Sequence, residues 1–111
     1  MRKKDLIEKL KKYGLTLNEA KILLFLSKKG IATASEITKK TKVARTETYF
    51  VLRNLDKKQI VTINLKEKPI LYSALSINKA LQKLIEWELM RIEKLNKEKN
   101  DVIRLWNSLN F

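Results

Sequence analysis

Between residues 44 and 58 the sequence alternates polar and apolar side chains at helical spacing. One side of the predicted helix holds Thr46, Phe50, Arg53 and Lys57. The opposite side holds Thr48, Val51, Leu52 and Leu55. Guanidinium, ammonium and hydroxyl groups donate hydrogen bonds to base edges and phosphates, and an aromatic ring can contact a thymine methyl group. A helix that buries the second side and exposes the first is therefore suited to the major groove of duplex DNA.

Several side chains of this helix are candidates for reading bases or holding phosphates. Arginine forms paired hydrogen bonds with guanine and asparagine with adenine, which makes Arg45, Arg53 and Asn54 candidates for base recognition. Tyr49 lies at the flank of the helix, where its hydroxyl would reach a phosphate or its ring would seal the edge of the core. Phe50 is equally suited to contact with a thymine methyl group and to packing on a neighbouring hairpin or a partner subunit.

Lysines stand on both sides of this helix along the chain. They are Lys39, Lys40 and Lys42 before it and Lys66 and Lys68 after it. We predict that they neutralise phosphates, because such contacts supply affinity without sequence information. The basic arm of residues 2–4 is a further candidate for the same role. The alternative for the whole surface is plain solvation, with Arg53 paired with Asp56 or Glu47.

The charge of the chain indicates an acidic partner. The formal net charge is +13 over 111 residues, which points first to nucleic acid and second to an anionic membrane surface. Residues 1–75 carry 18 basic and 7 acidic side chains, whereas residues 76–111 carry 7 and 5. The excess positive charge therefore belongs with the candidate DNA-contacting helix, and its near absence from the amphipathic C-terminal segment disfavours a membrane role.

Other classes of chemistry lack the residues that they need. The chain has no Cys and no His, which excludes disulfides and the Ser-His and Cys-His pairs of nucleophilic catalysis. Its two glycines are too few for a phosphate-binding loop, and its 12 acidic residues are too scattered to predict a metal site. We expect a cytoplasmic protein with no catalytic residues, no cofactor and no metal, and with neither a secretory signal nor a membrane span.

The pattern along the chain predicts the elements that must position the DNA-contacting helix. The predicted helices cover residues 5–12, 18–28, 34–40 and 44–58, and the predicted strands cover 31–32, 60–65 and 70–74. Capping-box sequences begin at Thr16 and Thr33. The short turn between the last two helices is typical of a helix-turn-helix. Because a hairpin follows directly, we predict a mainly α fold with a small β-hairpin, the winged helix-turn-helix.

A long final helix is predicted from Ile77 to Leu109, with Ser76 as its N-cap. Apolar residues recur along it at alternating spacings of four and three, the heptad pattern of a coiled coil. The apolar positions of this seam are Leu81, Ile85, Ile92, Leu95, Val102, Trp106 and Leu109. A second copy of the helix would cover the seam, which predicts a homodimer. Parallel and antiparallel pairing both stay open, since Glu88 and Lys99 interrupt the seam and would pair in an antiparallel dimer.

Three segments, in order and without gaps, carry a family resemblance. Residues 13–21 (YGLTLNEAK), 32–37 (ATASEI) and 44–55 (ARTETYFVLRNL) resemble the GLT-x-x-E-A-K, ATA-x-E-I and P-R-S-x-V-Y-x-V-L-x-x-L patterns of the TrmB-like winged-helix regulators of archaea. The resemblance covers about residues 5–75. It implies a transcriptional regulator that binds duplex DNA as a dimer, with the second helix of the pair in the major groove and the wing on the backbone. By position it implies DNA contact by Arg45, Thr46, Tyr49 and Arg53.

The chain also departs from the family pattern. Ala44 stands in place of the common Pro, Thr48 in place of the common Val, and the wing lacks the usual Gly. Full-length members often continue into a sugar-binding domain, whereas this sequence stops at Phe111. A sugar effector is therefore not implied, and no small-molecule effector is evident from the sequence.

These observations predict a sequence-specific transcriptional regulator that acts on duplex DNA as a homodimer. Residues 1–75 would form the DNA-binding domain, and residues 76–111 the dimerisation helix. One alternative is a non-specific architectural protein that coats DNA. Another is a winged-helix module that binds a protein of the transcription or replication machinery, since the fold alone does not separate these uses. The lysines around the groove helix favour nucleic acid.

Overall fold

The computed structural model describes residues 2–111, and the fold is mainly helical. This part of the chain forms five α-helices and three β-strands. They are α1 (Lys3–Lys11), α2 (Leu17–Lys29), β1 (Ile31–Thr33), α3 (Ala34–Thr41), α4 (Arg45–Lys57), β2 (Val61–Asn64), β3 (Leu71–Ala74) and α5 (Ile77–Asn107). Every predicted element is present, with ends that differ from the prediction by at most two residues. Within residues 2–111, none of the helices combines the length and apolarity that a bilayer span requires.

The three strands form one antiparallel sheet in the order β1–β3–β2. β2 and β3 make the predicted hairpin, in which Ile63 faces Tyr72. β1 pairs with the other edge of β3, where Ala32 also faces Tyr72. The short strand near residue 31 is thus part of the same sheet, a pairing that the sequence pattern does not predict. The loop between β2 and β3, residues 65–70, is the wing.

The hydrophobic core lies between α2, α4 and the sheet. The side chains of α2 and α4 that expose at most 1% of their surface are Ala20, Ile22, Leu23, Leu26, Val51, Leu52 and Leu55, and Thr48 joins them. The predicted apolar side of α4 is therefore buried, and its polar side faces outward. We call residues 2–75, which enclose this core, the head.

Both predicted capping boxes are formed. Thr16 Oγ1 accepts from the Glu19 N–H at 3.1 Å, and Glu19 Oε1 accepts from the Thr16 N–H at 2.9 Å. The corresponding distances for Thr33 and Glu36 are 3.2 and 3.1 Å. The hydrogen bond that the Thr33 backbone N–H donates to the Glu36 carboxylate is the main reason why the pKa of Glu36 lies below its ordinary value. Because the pKa of Glu36 is lowered in the folded chain, its ionised carboxylate stabilises the fold at neutral pH. This stabilisation is lost as the pH falls through the folded-state pKa.

Removing one cap gives a direct test of this local structure. Thr16→Ala deletes the side-chain acceptor at the start of α2, so we expect the free energy of unfolding to fall by about 1 kcal/mol. Ser35→Ala is the matched control, because Ser35 also lies in the first turn of a helix but its hydroxyl has no hydrogen-bond partner within residues 2–111. Urea denaturation should place the control within about 0.5 kcal/mol of the native chain. Equal losses in the two variants would contradict the capping role.

Three threonine hydroxyls fix the turn between α3 and α4. Thr41 Oγ1 donates to a carbonyl of α3 at 2.7 Å. Thr48 Oγ1 lies 3.0 Å from the Ala44 carbonyl and accepts from Thr38 Oγ1 at 3.3 Å. Between them, Lys42 takes the left-handed conformation with φ of 63°. The hydroxyl at position 48, where the TrmB-like pattern has Val, is therefore hydrogen-bonded in the core instead of being buried without a partner.

α5 divides into a part that packs on the head and a part that projects from it. Ala80 and Leu84 are buried in the core, and Trp87 Nε1 donates to the Lys58 carbonyl at 3.2 Å. Every residue from 89 to 111 is exposed. The helix has 31 residues, so it is about 47 Å long at 1.5 Å per residue. Its second half therefore extends beyond the head as a single helix.

Candidate nucleic-acid interface

The outward side of α4 presents the side chains that the sequence predicts for base contact. Phe50 leaves 51% of its surface exposed, and Asn54 is half-buried. The remaining predicted contact residues of this side are all exposed: Arg45, Thr46, Arg53 and Lys57. Because the opposite side of the helix is packed in the core, these groups are held in fixed positions along one surface. We call this surface the α4 face.

Tyr49 lies between the α4 face and the core. Its ring is half-buried and packs against the core, and the Arg45 guanidinium carbon stands 5.9 Å from the ring centroid. That distance is within the range of a cation–π contact. Of the two roles that the sequence left open for Tyr49, the structure shows its ring at the core edge. Its contact with a phosphate stays a prediction.

Tyr72 of β3 connects the sheet to α4. The residue is only 5% exposed, and this burial raises the pKa of its phenol. The neighbouring Tyr49 raises that pKa further, whereas the positive charge of Arg53 lowers it. The phenol of Tyr72 is therefore neutral at physiological pH. These interactions place Arg53 on the part of α4 that is close to the sheet.

A surface cleft of about 170 Å³ joins α3, α4 and the wing. Its lining residues are Thr33, Ala34, Ser35, Arg45, Tyr49, Pro69, Ile70 and Tyr72. The structure thus brings Arg45 and Tyr49 next to the wing. Sequence reasoning misses Ser35, Pro69 and Ile70, because none carries a charge or lies on the polar stripe of α4. Only the pairing of β1 with β3 shows that these three residues lie beside the α4 face.

The five lysines predicted for phosphate contact are all exposed. They are Lys39, Lys40, Lys42, Lys66 and Lys68. Lys39 and Lys40 line a separate groove with Phe25 and Lys29. Lys66 and Lys68 lie in the wing. Pro69 and Ile70, which line the cleft at α4, follow the wing lysines in the chain, and the groove of Lys39 and Lys40 shares Ser35 with that cleft.

The cations of α4 and the wing have no carboxylate partner in the described part of the chain. The ion pairs formed within residues 2–111 are Lys11–Glu8, Lys29–Glu36, Arg91–Glu88 and Arg104–Asp101. Arg53 therefore pairs with neither Asp56 nor Glu47 in this part of the chain, so the ion pair in the alternative reading of this surface is not formed. Unpaired, exposed cations can bind phosphates without first breaking an internal ion pair.

The seam of α5 is an exposed apolar surface. Six of its predicted positions leave between 41 and 72% of their surface exposed: Ile85, Ile92, Leu95, Val102, Trp106 and Leu109. Leu81 differs, because it is half-buried and packs on the core of the head. A row of large apolar side chains exposed to water, here interrupted at Glu88 and Lys99, is typical of a protein-interaction surface.

A helix-turn-helix with an outward polar face, a three-stranded sheet with a projecting wing and a long final helix define the winged-helix class of DNA-binding regulators. Within this class, a family model described as "Sugar-specific transcriptional regulator TrmB" matches residues 10–78. The chain belongs to the TrmB family of transcriptional regulators, which confirms the resemblance found in the sequence.

Individual relatives support the same assignment. The chain is 33% identical over 104 residues to the HTH-type sugar sensing transcriptional regulator TrmBL1 of Pyrococcus furiosus. This alignment covers 94% of the chain and 30% of TrmBL1. The solved structure of TrmBL2, described as an archaeal chromatin protein, matches with a TM-score of 0.76 and 28% identity. That match covers 96% of this chain and 42% of TrmBL2. The chain therefore spans less than half the length of either relative.

A more distant match supports the fold alone. The DNA complex of MepR from S. aureus aligns with a TM-score of 0.51 and 17% identity, over 93% of this chain and 87% of MepR. At this identity the similarity concerns the winged-helix architecture and not the residues of the interface.

Proposed function

We propose that this protein is a sequence-specific transcriptional regulator that binds duplex DNA as a homodimer. The α4 face enters the major groove, the wing lies along the phosphate backbone, and α5 joins two chains. Residues 1–75 form the DNA-binding domain in this proposal, and residues 76–111 form the dimerisation helix, whose first turns also pack on the head. Such a protein has no catalytic role and works on the nucleoid in the cytoplasm.

The observation that carries the proposal is the composition of the α4 face. Its arginines are exposed, unpaired and held by a helix whose other side is buried in the core. Arg45 and Arg53 are therefore positioned to donate to guanine, and half-buried Asn54 to adenine. Exposed Thr46 and Phe50 add a hydroxyl donor and an apolar contact for thymine. Recognition helices of this type place three or four side chains on base edges.

The exposed seam supports the homodimer. Fully burying a Leu or Ile side chain is worth about 1.5–3 kcal/mol, and the six seam positions are about half exposed in the single chain. Covering twelve such side chains in a dimer would contribute on the order of 10 kcal/mol. This is comparable to the cost of association, about 4–15 kcal/mol. A dimer that also gains from favourable contacts at the head would be stable.

The similarity to TrmBL2 favours a second candidate function. TrmBL2 is described as a chromatin protein, and a protein with the net charge of this chain, +13, would bind any duplex through its phosphates. In that case the protein would be architectural and would coat DNA without reading bases. The two functions differ in the ratio of specific to non-specific affinity.

Selection of bound fragments from a random duplex pool separates these functions. A regulator should enrich a motif and bind it at least about 1,000-fold more tightly than a random duplex at physiological salt. Similar affinity for all duplexes would support the architectural role instead. Affinity no greater than that of an unrelated protein of equal positive charge would reject DNA binding and leave the protein-interaction module.

The wing gives a prediction that does not depend on the target sequence. Lys66→Ala with Lys68→Ala removes two phosphate contacts, so the slope of log K against log salt concentration should become shallower by up to about 2. Binding should weaken about equally on all duplexes. The control is Lys94→Ala with Lys97→Ala, which removes the same charge from exposed positions of α5. Equal slopes for the two double variants would rule out a wing contact with DNA.

A further inference from the structure

We propose that the α5 helices of two chains pair antiparallel, in a register that places Glu88 against the partner's Lys99. This inference rests on the proposed dimerisation through α5 and specifies its geometry. The sequence alone leaves parallel and antiparallel pairing open. The charges on and beside the seam select between them, and the seam spacing and the shape of the protomer permit the antiparallel pair.

The seam has the same spacing when it is read in either direction. From residue 81 to residue 106 the steps alternate four and three, and they begin and end with four. An antiparallel pair centred between residues 93 and 94 therefore aligns each seam position from 81 to 106 with another seam position, and Leu109 lies beyond this span. The apolar layers are Leu81 with the partner's Trp106, Ile85 with the partner's Val102 and Ile92 with the partner's Leu95. Large apolar side chains meet only apolar side chains in these layers.

The two charged seam residues distinguish the orientations. In the antiparallel register, Glu88 meets the partner's Lys99, and the contact occurs twice by symmetry. In a parallel pair in register, Glu88 would meet Glu88 and Lys99 would meet Lys99. Like charges directly opposed in an interface are unfavourable. The seam thus carries opposite charges at the two places where only antiparallel pairing brings them together.

A second pair of charges beside the seam gives the same result. Arg91 and Glu98 occupy equivalent heptad positions that flank the seam, and equivalent flanking positions meet in antiparallel coiled coils. In the proposed register, Arg91 lies about two residues, or about 3 Å, along the axis from the partner's Glu98. Parallel pairing would instead place Arg91 near Asn96. Arg91 already binds Glu88 in its own chain at 3.2 Å, and its five donors can hold both carboxylates.

The protomer leaves room for this arrangement. Ile85 is 41% exposed although its neighbour Leu84 is buried in the head, so a partner helix can reach the seam beside the head. The anchors Ala80 and Leu84 lie near one end of α5. In the antiparallel register the anchor points of the two chains are about 35 Å apart along the axis. This is close to the spacing of about 34–36 Å between successive major-groove sites on one face of DNA.

Introduced cysteines test the orientation directly, because the natural chain has none. The Ile85→Cys and Val102→Cys chains are prepared separately, and one of them carries a removable tag. The two are mixed under reducing conditions so that the dimers exchange subunits, and the mixture is then oxidised. We expect a disulfide-linked dimer of one chain of each kind. Each variant alone should give no linked dimer, since its two thiols would be about 25 Å apart along the axis.

The other outcomes contradict the proposal in distinguishable ways. Linked dimers of Ile85→Cys alone and Val102→Cys alone would show parallel pairing. Absence of links in a chain that sediments as a dimer would show a different register or interface. A natural chain that sediments as a monomer at the same concentration would instead refute the proposed dimerisation itself.

A charge exchange provides an independent measurement on the same pairing. Lys99→Glu should weaken the dimer about tenfold, because each Glu88 would then face a second carboxylate. Adding Glu88→Lys to the same chain should restore most of the affinity. In a parallel dimer neither change would alter the number of like-charge contacts, so dimer affinity measured by sedimentation equilibrium would stay constant across the series. That constancy would overturn the antiparallel assignment.

Discussion

We expect a chain that carries Ile92→Asp together with Leu95→Asp to be monomeric at concentrations where the proposed function makes the natural chain a dimer. In either orientation the two substitutions bring four carboxylates into the centre of an apolar interface, and each unpaired buried charge costs several kcal/mol. The dimer dissociation constant should rise more than about 100-fold, which corresponds to a loss of at least about 2.7 kcal/mol. Sedimentation equilibrium measures this constant directly.

The same variant should lose affinity for DNA. Two linked heads bind a duplex with an effective concentration that raises affinity by about 100-fold or more over a single head. The monomeric variant should therefore bind a two-site duplex at least about 100-fold more weakly and a single-site duplex about as well as before. Asn100→Asp is the matched control, since it adds a carboxylate to an exposed residue of α5 that lies outside the seam. If both variants stay dimeric, the seam is not the interface.

Arg53→Ala should have the largest effect of any single substitution on the α4 face. The guanidinium is exposed, forms no internal ion pair and is close enough to Tyr72 of β3 for its charge to lower the pKa of that phenol. Loss of a bidentate base contact costs about 1–3 kcal/mol, so affinity for the selected motif should fall about 5- to 150-fold. Affinity for a random duplex should fall much less, because only one positive charge is removed. Fluorescence anisotropy with both duplexes measures the two effects.

Lys97→Ala is the control for Arg53→Ala. It removes one positive charge from an exposed position of α5 and should change both affinities slightly and equally. Since both residues are exposed, neither substitution should alter the free energy of unfolding by more than about 0.5 kcal/mol. A uniform loss on both duplexes for Arg53→Ala would assign Arg53 to phosphate and not to a base.

Local patterns in the sequence were sufficient to predict the elements of the head. The capping boxes at Thr16 and Thr33 mark two helix starts by a fixed spacing of hydrogen-bonding side chains, and both form as expected. The apolar stripe of α4 identifies its buried side because the helical period couples spacing to direction. The TrmB resemblance rests on the same segments, so fold and family were accessible together.

Contacts between distant segments were not accessible in this way. The three residues of β1 are too short for a clear strand pattern, and only their pairing with β3 places Ser35 beside the wing. Lys39 and Lys40 are charged like the wing lysines, yet they line a groove with Phe25. Leu81 fits the seam by spacing but packs partly on the head. In each case the deciding interaction lies far away in sequence.

An NMR titration of the isotope-labelled full chain will show whether the α4 face and the wing form the surface that binds duplex DNA. Addition of the selected duplex should shift backbone amides in residues 45–57 and 65–70 more than any others. Amides of the buried α2 should stay nearly unchanged. Shifts confined to α1, to the α3 lysines or to the projecting half of α5, with residues 45–57 unaffected, would contradict the account.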